Sequence, residues 1–389
     1  MPDLSPSFRA PRRSRVAGAR RFLAMKWGHF IRGSAEPAPV GRPDYYRREL
    51  ADSLFVRSAD ALPVKSFVPE DHTEPSAVAT AEACHRRYGV YPLNFSFPRP
   101  KLMPSIKGSR PHFLSSTIPG EPFSFDTWDA YLEEYRSSYF ALSTKKGGWD
   151  TFRHLEVLFS GTIPLLPRLS AANPYSLAHF PKRALISVMQ TLEREGPALA
   201  DEHTRRFFRE FATERLSSRA MAENLATVSG ISGSRMLYLD QGLATRTDYL
   251  SAFTLIGLSE LSGLTVIPAY QPDYLYEDYT GDTRRLYGRG FGYTTVLPTA
   301  AKSTESLERA DARTAAGTRD LVALADSCES IVVGNYDGNR ELVEELVQAG
   351  VPSQRFVCIV GSDLVPDRAL FRAMARSEMT FFVREFPGA

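Results

Sequence analysis

Hydrophobic and polar residues follow strand-like and helix-like periods in turn over much of this chain. The clearest series starts with an apolar run at 137–144, which predicts a buried strand. A Lys-Lys-Gly-Gly turn follows, and then a segment from Phe152 to Phe159 whose apolar residues recur at helical spacing. Gly161 is placed to end that helix, and the Ile-Pro-Leu-Leu run after it predicts a strand whose proline suits a sheet edge. This strand–turn–helix–strand unit is typical of a parallel sheet.

The second half of the chain repeats this alternation. Five apolar runs predict strands there, with the sequences RMLYLD, LTVIPAY, SIVVGN, RFVCIVG and MTFFVREF. The segments between them have helical spacing, and one such helix is expected to end at Gly263. Strands that alternate with helices in this way favour a doubly wound, Rossmann-like sheet.

These patterns predict an α/β fold with two Rossmann-like domains. We place the first domain at 41–228, which is rich in proline and aromatic residues at its start and in helical segments at its end. Asp126 is expected to cap a helix within it. The second domain is placed at 229–389. A chain of 389 residues with 43% hydrophobic residues is long enough for two such cores.

Cysteine and histidine usage argues against several classes of protein. The three cysteines, Cys84, Cys328 and Cys358, are far apart and have no spacing typical of a zinc site or a disulfide framework. The seven histidines form no metal-binding motif, so we predict no metal and no cofactor. No apolar run reaches the roughly 18 residues that a membrane span needs, and no signal peptide is evident. These features favour a cytoplasmic protein.

The positive charge of the chain is concentrated in a tail at 1–40, which we expect to be partly disordered. Residues 1–35 carry eight basic residues and one acid, a charge of +7, so the overall +2 leaves −5 for the remainder. The segment 9–32 mixes basic residues with aromatic and aliphatic ones, as an amphipathic helix on an anionic membrane surface would.

Other interpretations of this tail stay open. It also suits a helix docked on the protein body, a disordered tail, a transit peptide or non-specific contact with nucleic acid. Nothing else in the chain resembles a nucleic-acid module, so we expect no specific nucleic-acid partner. The membrane interpretation places the protein in the cytoplasm, peripheral at the membrane.

The turn after the first predicted strand is the richest candidate binding site. In open α/β sheets, ligands bind beyond the carboxyl ends of the strands. Glycines there allow close approach of a ligand, and a helix N-terminus favours a phosphate group. An arginine one turn into the helix suits a pyrophosphate, and a carboxylate suits the hydroxyls of a ribose. The residues that we predict to bind a nucleotide are Lys145, Lys146, Gly147, Gly148, Trp149, Asp150, Arg153, His154 and Glu156.

The residues alone leave a second interpretation of equal weight. Lys-Lys-Gly-Gly is also an ordinary solvated turn, and Arg153 with Glu156 also suits an ion pair on a helix surface. His154 could act as a base or be a surface or interdomain residue. Trp149 could cover a bound base or anchor the turn. The tyrosine-rich loop at 273–293 could stack on a sugar or pack on the protein body.

The segment SYFALSTKKGGWDTFRHLEVLFSGTIPLL resembles the donor-binding half of GT-B glycosyltransferases of the exostosin type. It is also similar to bacterial and viral transferases that share a KKGGWD segment. The matching positions are Arg153, Glu156, Gly161, Ile163 and Pro164. The resemblance implies that Glu156 holds the ribose of a nucleotide-sugar, while Arg153 and the loop hold its phosphates. It also implies a GT-B-like fold whose donor half comes first, the reverse of the usual order.

The function that this resemblance implies is metal-independent transfer of a sugar from a nucleotide-sugar to a glycan or lipid-linked acceptor. Such a reaction needs a carboxylate or a histidine near the acceptor hydroxyl and positive groups on the leaving phosphate. We predict Asp240, at the end of the strand RMLYLD, and Asp248 for this role, although Asp248 also suits a helix N-cap. The alternative is an inactive nucleotide- or glycan-binding module of the same fold. An Asp240 that points away from the cleft would favour that alternative.

Overall fold

The computed structural model describes most of the chain after its basic tail. The described residues are 67–102, 110–117, 125–166, 168–195, 199–231, 233–308 and 315–388. The tail at 1–40, including the amphipathic segment predicted at 9–32, lies outside them.

The first half of the described chain is mainly helical, with short strands. Its strands are β1 (Tyr91–Pro92), β2 (His112–Leu114), β3 (Ser138–Leu142) and β4 (Ile163–Leu165). Its helices are α1 (Ala77–Tyr88), α2 (Trp128–Arg136), α3 (Phe152–Phe159), α4 (Lys182–Glu195), α5 (Glu202–Leu216) and α6 (Ser218–Ser229). The predicted strand–turn–helix–strand unit is therefore confirmed as β3–α3–β4.

The second half alternates strands and helices, as its sequence pattern predicts. Its strands are β5 (Arg235–Leu239), β6 (Thr265–Pro268), β7 (Ser330–Val333), β8 (Phe356–Val360) and β9 (Thr380–Val383). Its helices are α7 (Tyr249–Ser259), α8 (Ala315–Asp326), α9 (Tyr336–Gln348) and α10 (Arg368–Arg376).

The described strands form two parallel sheets, so the α/β class is confirmed. The larger sheet has six strands in the order β1-β9-β8-β7-β5-β6, and the smaller has three in the order β2-β3-β4. Within the larger sheet, the five strands of the second half follow the doubly wound order second-first-third-fourth-fifth. β4 lies at an edge, where Pro164 removes no hydrogen bond from a central ladder.

Alternate side chains of the larger sheet enter two different hydrophobic cores. Met236 and Tyr238 of β5 face one core, and Leu237 and Leu239 face the other, as the two-residue period of a strand requires. The first core also contains Phe140 of β3 and the buried face of α3. The smaller sheet therefore packs into the first of these two cores, which it shares with one face of the larger sheet.

The strand pairing crosses the boundary that we predicted at residue 228. β1 belongs to the first half of the chain, yet it extends the larger sheet by pairing with β9, with Tyr91 opposite Phe382. The main chain continues this pairing, since the N–H of Leu93 donates to the carbonyl of Val383 at 3.0 Å. An edge strand from one half thus completes the sheet of the other.

Of two aspartates considered as helix N-caps, the structure confirms one and contradicts the other. Asp248 is the N-cap of α7, where Oδ1 accepts from the N–H groups of Leu250 and Ser251. The prediction that Asp126 caps α2 is wrong, because the hydroxyl of Thr127 occupies that position. The Asp126 side chain is 92% exposed and pairs with an arginine of a distant loop instead.

Helices α6 and α7 pack so closely that one position on α7 has no room for a side chain. A Cβ added to Gly257 would collide with the backbone carbonyl of Ser218, at the start of α6. The backbone is hard to displace, so this glycine fixes the distance between the two helices.

We expect Gly257→Ala to destabilise the fold by about 2 kcal/mol, because overpacking forces the helices apart. Gly338→Ala on α9 is the matched control, since its Cβ would meet only a side chain, that of Asn335. That variant should be close to the wild type in urea unfolding. Equal stability of Gly257→Ala and the wild type would contradict the close packing.

Candidate functional site

The described residues enclose a cleft of about 390 Å³. This volume lies within the range of small-molecule sites. Its lining combines aromatic rings with charged and small residues: Phe95, Tyr131, Lys146, Gly148, Asp150, Thr151, Phe152, Arg153, Glu156, Tyr249, Tyr287, Gly288, Phe291 and Asp363.

The cleft lies where the carboxyl ends of both parallel sheets meet. Phe95 follows β1, the loop with Lys146 follows β3, and Tyr249 begins the helix after β5. Tyr287 follows β6, and Asp363 follows β8. Ligands of open α/β sheets bind at such carboxyl ends, so this cleft is the site that the fold itself indicates.

Arg153 and Glu156 both reach the cleft from the first turns of α3. Glu156 is only 8% exposed, and its Oε2 accepts from the hydroxyl of Tyr131 at 2.7 Å. Burial raises the pKa of Glu156, while the Tyr131 hydrogen bond and the charges of Arg153 and Lys146 oppose that rise. The pair therefore lies in a buried wall of the cleft rather than on a solvated helix surface.

The two glycines of the loop lie directly against neighbouring carboxylates. A Cβ on Gly147 would collide with the carboxylate of Asp363, and one on Gly148 would collide with that of Glu385. The loop thus packs directly against the ends of β8 and β9. From the sequence, we expected these glycines to allow a ligand to approach the backbone closely. The structure shows that they also leave room for the side chains of Asp363 and Glu385.

A buried arginine joins the loop to the larger sheet. Arg384 is 2% exposed and directly follows β9. Its Nη1 donates to the carbonyl of Asp150 at 2.6 Å, and its Nε donates to the carbonyl of Gly361 at 2.9 Å. It also forms an ion pair with Asp363, and its guanidinium stacks over the Phe95 ring at 4.7 Å. Arg384 therefore connects the ends of β3, β8 and β9.

Asp150 is held on three sides. Its N–H donates to Glu385 Oε1 at 2.8 Å, its carbonyl accepts from Arg384, and its Oδ2 accepts from the N–H of Phe95 at 2.6 Å. Burial raises the pKa of Asp150 to about 7, and the nearby Glu385 adds to the rise. Arg384 and the Phe95 N–H oppose it. The cleft thus contains a carboxyl group that titrates near neutral pH.

His154 supports the loop from inside the protein rather than lining the cleft. Its ring is fully buried, with Nε2 at 2.9 Å from the carbonyl of Trp149 and Nδ1 at 2.7 Å from the hydroxyl of Ser143. A carbonyl can only accept, so Nε2 carries the proton and Nδ1 accepts from Ser143. Burial lowers the pKa of His154 to about 4. The surface or interdomain position considered for this residue is therefore wrong.

Lys145 and Trp149 lie beside each other, outside the cleft lining. The ammonium of Lys145 is 5.5 Å from the centre of the Trp149 ring, a cation–π distance, and the ring is half-buried. Trp149 thus anchors the turn in this structure.

Aromatic rings form the opposite side of the cleft. The hydroxyl of Tyr249 lies against Gly288, where a side chain would collide with it. Tyr287 projects at the mouth and is 68% exposed. In the tyrosine-rich loop, Tyr274, Tyr276 and Tyr293 are buried. The loop therefore combines a structural part with one exposed ring at the cleft.

The two predicted catalytic aspartates lie together, but neither is among the residues that line the cleft. Asp240 is 3% exposed: its Oδ1 accepts from Gly242 N–H and Asn339 Nδ2, and its Oδ2 accepts from Ser251 Oγ at 2.6 Å. Burial raises the pKa of both Asp240 and Asp248. These contacts describe a structural cluster where the strand order reverses, between β5 and β7.

Sequence reasoning missed Arg384, Glu385 and Tyr131. The signal for the first two was present, because an Arg-Glu pair directly ends the otherwise apolar run MTFFV. Charged residues at the carboxyl end of a strand are candidate binding residues, by the same rule that selected the glycine loop, residues 145–148. Tyr131 carries no such signal, since its helical spacing is that of an ordinary core residue.

Comparisons with known proteins found no similar protein. No family model matches the chain, and no curated protein or solved structure gives a significant match. Fold and cleft define an α/β protein with a cleft at the carboxyl ends of its parallel strands. Within the residues described, no helix is long and apolar enough to cross a membrane. In the same residues, no group of three or more His, Cys, Asp or Glu side chains is placed to hold a metal ion.

We expect Arg384→Lys to destabilise the protein by about 3 kcal/mol, because lysine cannot donate to two carbonyls and a carboxylate in the geometry of a guanidinium. Urea unfolding measures the change. Arg219→Lys is the matched control, since Arg219 forms an exposed ion pair with Glu223 one helical turn away. Equal unfolding midpoints for the two variants would contradict the role of Arg384.

The buried His154 predicts a pH-dependent stability. The pKa of His154 is about 4 in the folded protein and near 6.5 in the unfolded chain, so between these pH values the unfolded chain binds more protons. The contribution of the neutral histidine to stability is therefore complete above pH 6.5 and is lost as the pH falls toward 4. The stability difference between wild type and His154→Gln should therefore shrink by up to about 3 kcal/mol from pH 7 to pH 4. Urea unfolding at several pH values measures it, and a difference that stays constant would be the contrary result.

Proposed function

We propose that the protein is a glycosyltransferase with a GT-B-like donor site, which transfers a sugar from a nucleotide-sugar to a glycan or lipid-linked acceptor. The observation that carries the proposal is the common cleft of Lys146, Arg153 and Glu156. These residues lie in the loop after β3 and on α3, and they share the cleft with aromatic residues from the second half of the chain. The same residues carry the resemblance to the exostosin-type donor segment.

Each part of a nucleotide-sugar has a matching group in this cleft. Arg153 and Lys146 supply positive charge for the phosphates, which become more negative as the sugar leaves. Glu156 supplies acceptor oxygens for the ribose hydroxyls, and Tyr131 fixes the orientation of one of them. Tyr287 offers an exposed ring to a base or a sugar. The proposal requires no metal, because the two cations act on the leaving phosphate.

The charge balance of the cleft is compatible with an anionic ligand. Three carboxyl groups line it beside the two cations. Burial raises the pKa of Asp150 and Glu156, which reduces their negative charge, and Arg384 pairs with Asp363. A phosphate group therefore meets less repulsion than the count of carboxyl groups suggests.

A specific observation favours a second candidate, an inactive nucleotide- or glycan-binding module. Asp240 does not line the cleft, and both of its oxygens accept hydrogen bonds within the protein. A transferase that depended on Asp240 as its base would need that residue at the acceptor. The two candidates share the same ligand and differ in turnover.

We expect at least one of the UDP-, GDP-, CMP- and dTDP-sugars to stabilise the wild type against thermal unfolding. A ligand at 100 times its dissociation constant adds about 2.7 kcal/mol. Glu156→Gln should lose most of this gain, because an amide cannot offer two acceptor oxygens to the ribose hydroxyls.

Glu260→Gln is the matched control, since Glu260 is a partly buried glutamate at the end of α7, outside the cleft lining. It should respond to nucleotide-sugars as the wild type does. The donor-site assignment fails if no nucleotide-sugar stabilises the wild type, or if Glu156→Gln responds equally. Detection of sugar transfer, or slow donor hydrolysis, separates the transferase from the binding module.

A further inference from the structure

Three carboxyl groups line the cleft, and the proposed donor contacts use only that of Glu156. Glu156 bonds to Tyr131 beside Arg153, and Asp363 forms an ion pair with Arg384. Asp150 lies at the junction of the Lys-Lys-Gly-Gly loop and α3, and it lines the same cleft.

The geometry points to Asp150 as the general base of the transfer reaction, an inference that rests on the proposed function. In this step the Asp150 carboxylate takes the proton of an acceptor hydroxyl. The acceptor oxygen forms a bond to the anomeric carbon, and the bond from that carbon to the phosphate oxygen breaks. The electron pair of the broken bond leaves with the nucleotide, beside Lys146 and Arg153.

The surroundings of Asp150 suit a base that must not move. Hydrogen bonds fix its backbone on both sides, to Glu385 through its N–H and to Arg384 through its carbonyl. The N–H of Phe95 holds Oδ2 at 2.6 Å, which orients the carboxyl group. Catalytic groups need such fixed positions, since a small displacement of a reacting group costs much of the rate.

The protonation behaviour of Asp150 supports the same role. A general base is most effective when its pKa lies near the working pH, and burial brings that of Asp150 to about 7. Arg384 and Glu385 beyond β9 act on its charge, and the other charged groups of the cleft are Lys146, Arg153, Glu156 and Asp363. Asp150 and Asp240 are equally buried, each 3% exposed, but only Asp150 lines the cleft.

The test compares Asp150→Asn with the wild type under the nucleotide-sugar that binds. Asparagine keeps an oxygen for the Phe95 N–H, so the thermal midpoint and the donor dissociation constant should stay close to those of the wild type. The transfer rate should fall at least about 100-fold, because general-base catalysis contributes about 10²- to 10⁴-fold.

The pH profile gives a readout that a structural role would not move. The kcat/KM of the wild type should rise with pH through about 7, as Asp150 loses its proton, and Asp150→Asn should lack this rise. Added formate should restore part of the activity of Asp150→Ala, because a small carboxylate can replace the missing group. Asp367→Asn is the matched control, since Asp367 accepts a backbone N–H bond at the start of α10, away from the cleft.

Each other outcome overturns a different statement. Full activity of Asp150→Asn, or an unchanged pH profile, rules out Asp150 as the base. Loss of donor binding in that variant assigns Asp150 to the donor site instead. A wild type that binds no nucleotide-sugar overturns the proposed function itself, and one that binds without transfer favours the binding module.

Discussion

A buried arginine fixes the geometry on which the rest of this structure depends. Arg384 is only 2% exposed, so its charged guanidinium must find its hydrogen-bond partners inside the protein. It is satisfied by the carbonyls of Asp150 and Gly361 and by the carboxylate of Asp363. Since Asp150 lies in the loop after β3 and Gly361 directly follows β8, one side chain ties a loop of the smaller sheet to the larger sheet beside the cleft.

This constraint also explains the character of the cleft. Because Arg384 and Glu385 bind the loop after β3, Asp150 is drawn out of water, and its pKa rises to about 7. Glu156 is buried by the same packing, and burial raises its pKa too. Arg153 and Lys146 line the cleft beside these two carboxyl groups, whose negative charge is reduced. The proposed affinity for a nucleotide-sugar follows from that balance rather than from an excess of positive charge.

Local periodicity was sufficient to predict much of the fold. The β3–α3–β4 unit, the five strands of the second half and the cap at Asp248 are all marked by local patterns of residues. The pairing of β1 with β9 and the contact of Arg384 with Asp150 join residues far apart in the chain, the latter 234 positions apart. Periodic patterns of residues do not indicate such long-range contacts. The sequence therefore showed no sign that strand pairing crosses the predicted boundary at residue 228.

The candidate site was predictable in part for the same reason. The carboxyl-end rule selected Lys146, Asp150, Arg153 and Glu156, and the described cleft contains all four. The rule also selected Asp240, because it recognises a strand end but not the hydrogen bonds that engage a side chain there. The packing of Gly147 and Gly148 against two carboxylates depends on tertiary contacts and was not visible in the sequence.

The central claim is that a nucleotide-sugar binds against the loop and the first turn of α3. Hydrogen–deuterium exchange with and without millimolar nucleotide-sugar measures it most directly, because the method reports each segment separately. The account predicts slower amide exchange at residues 145–156 with at least one nucleotide-sugar. Unchanged exchange there with every nucleotide-sugar, or protection confined to a segment outside the cleft such as 299–305, would contradict it.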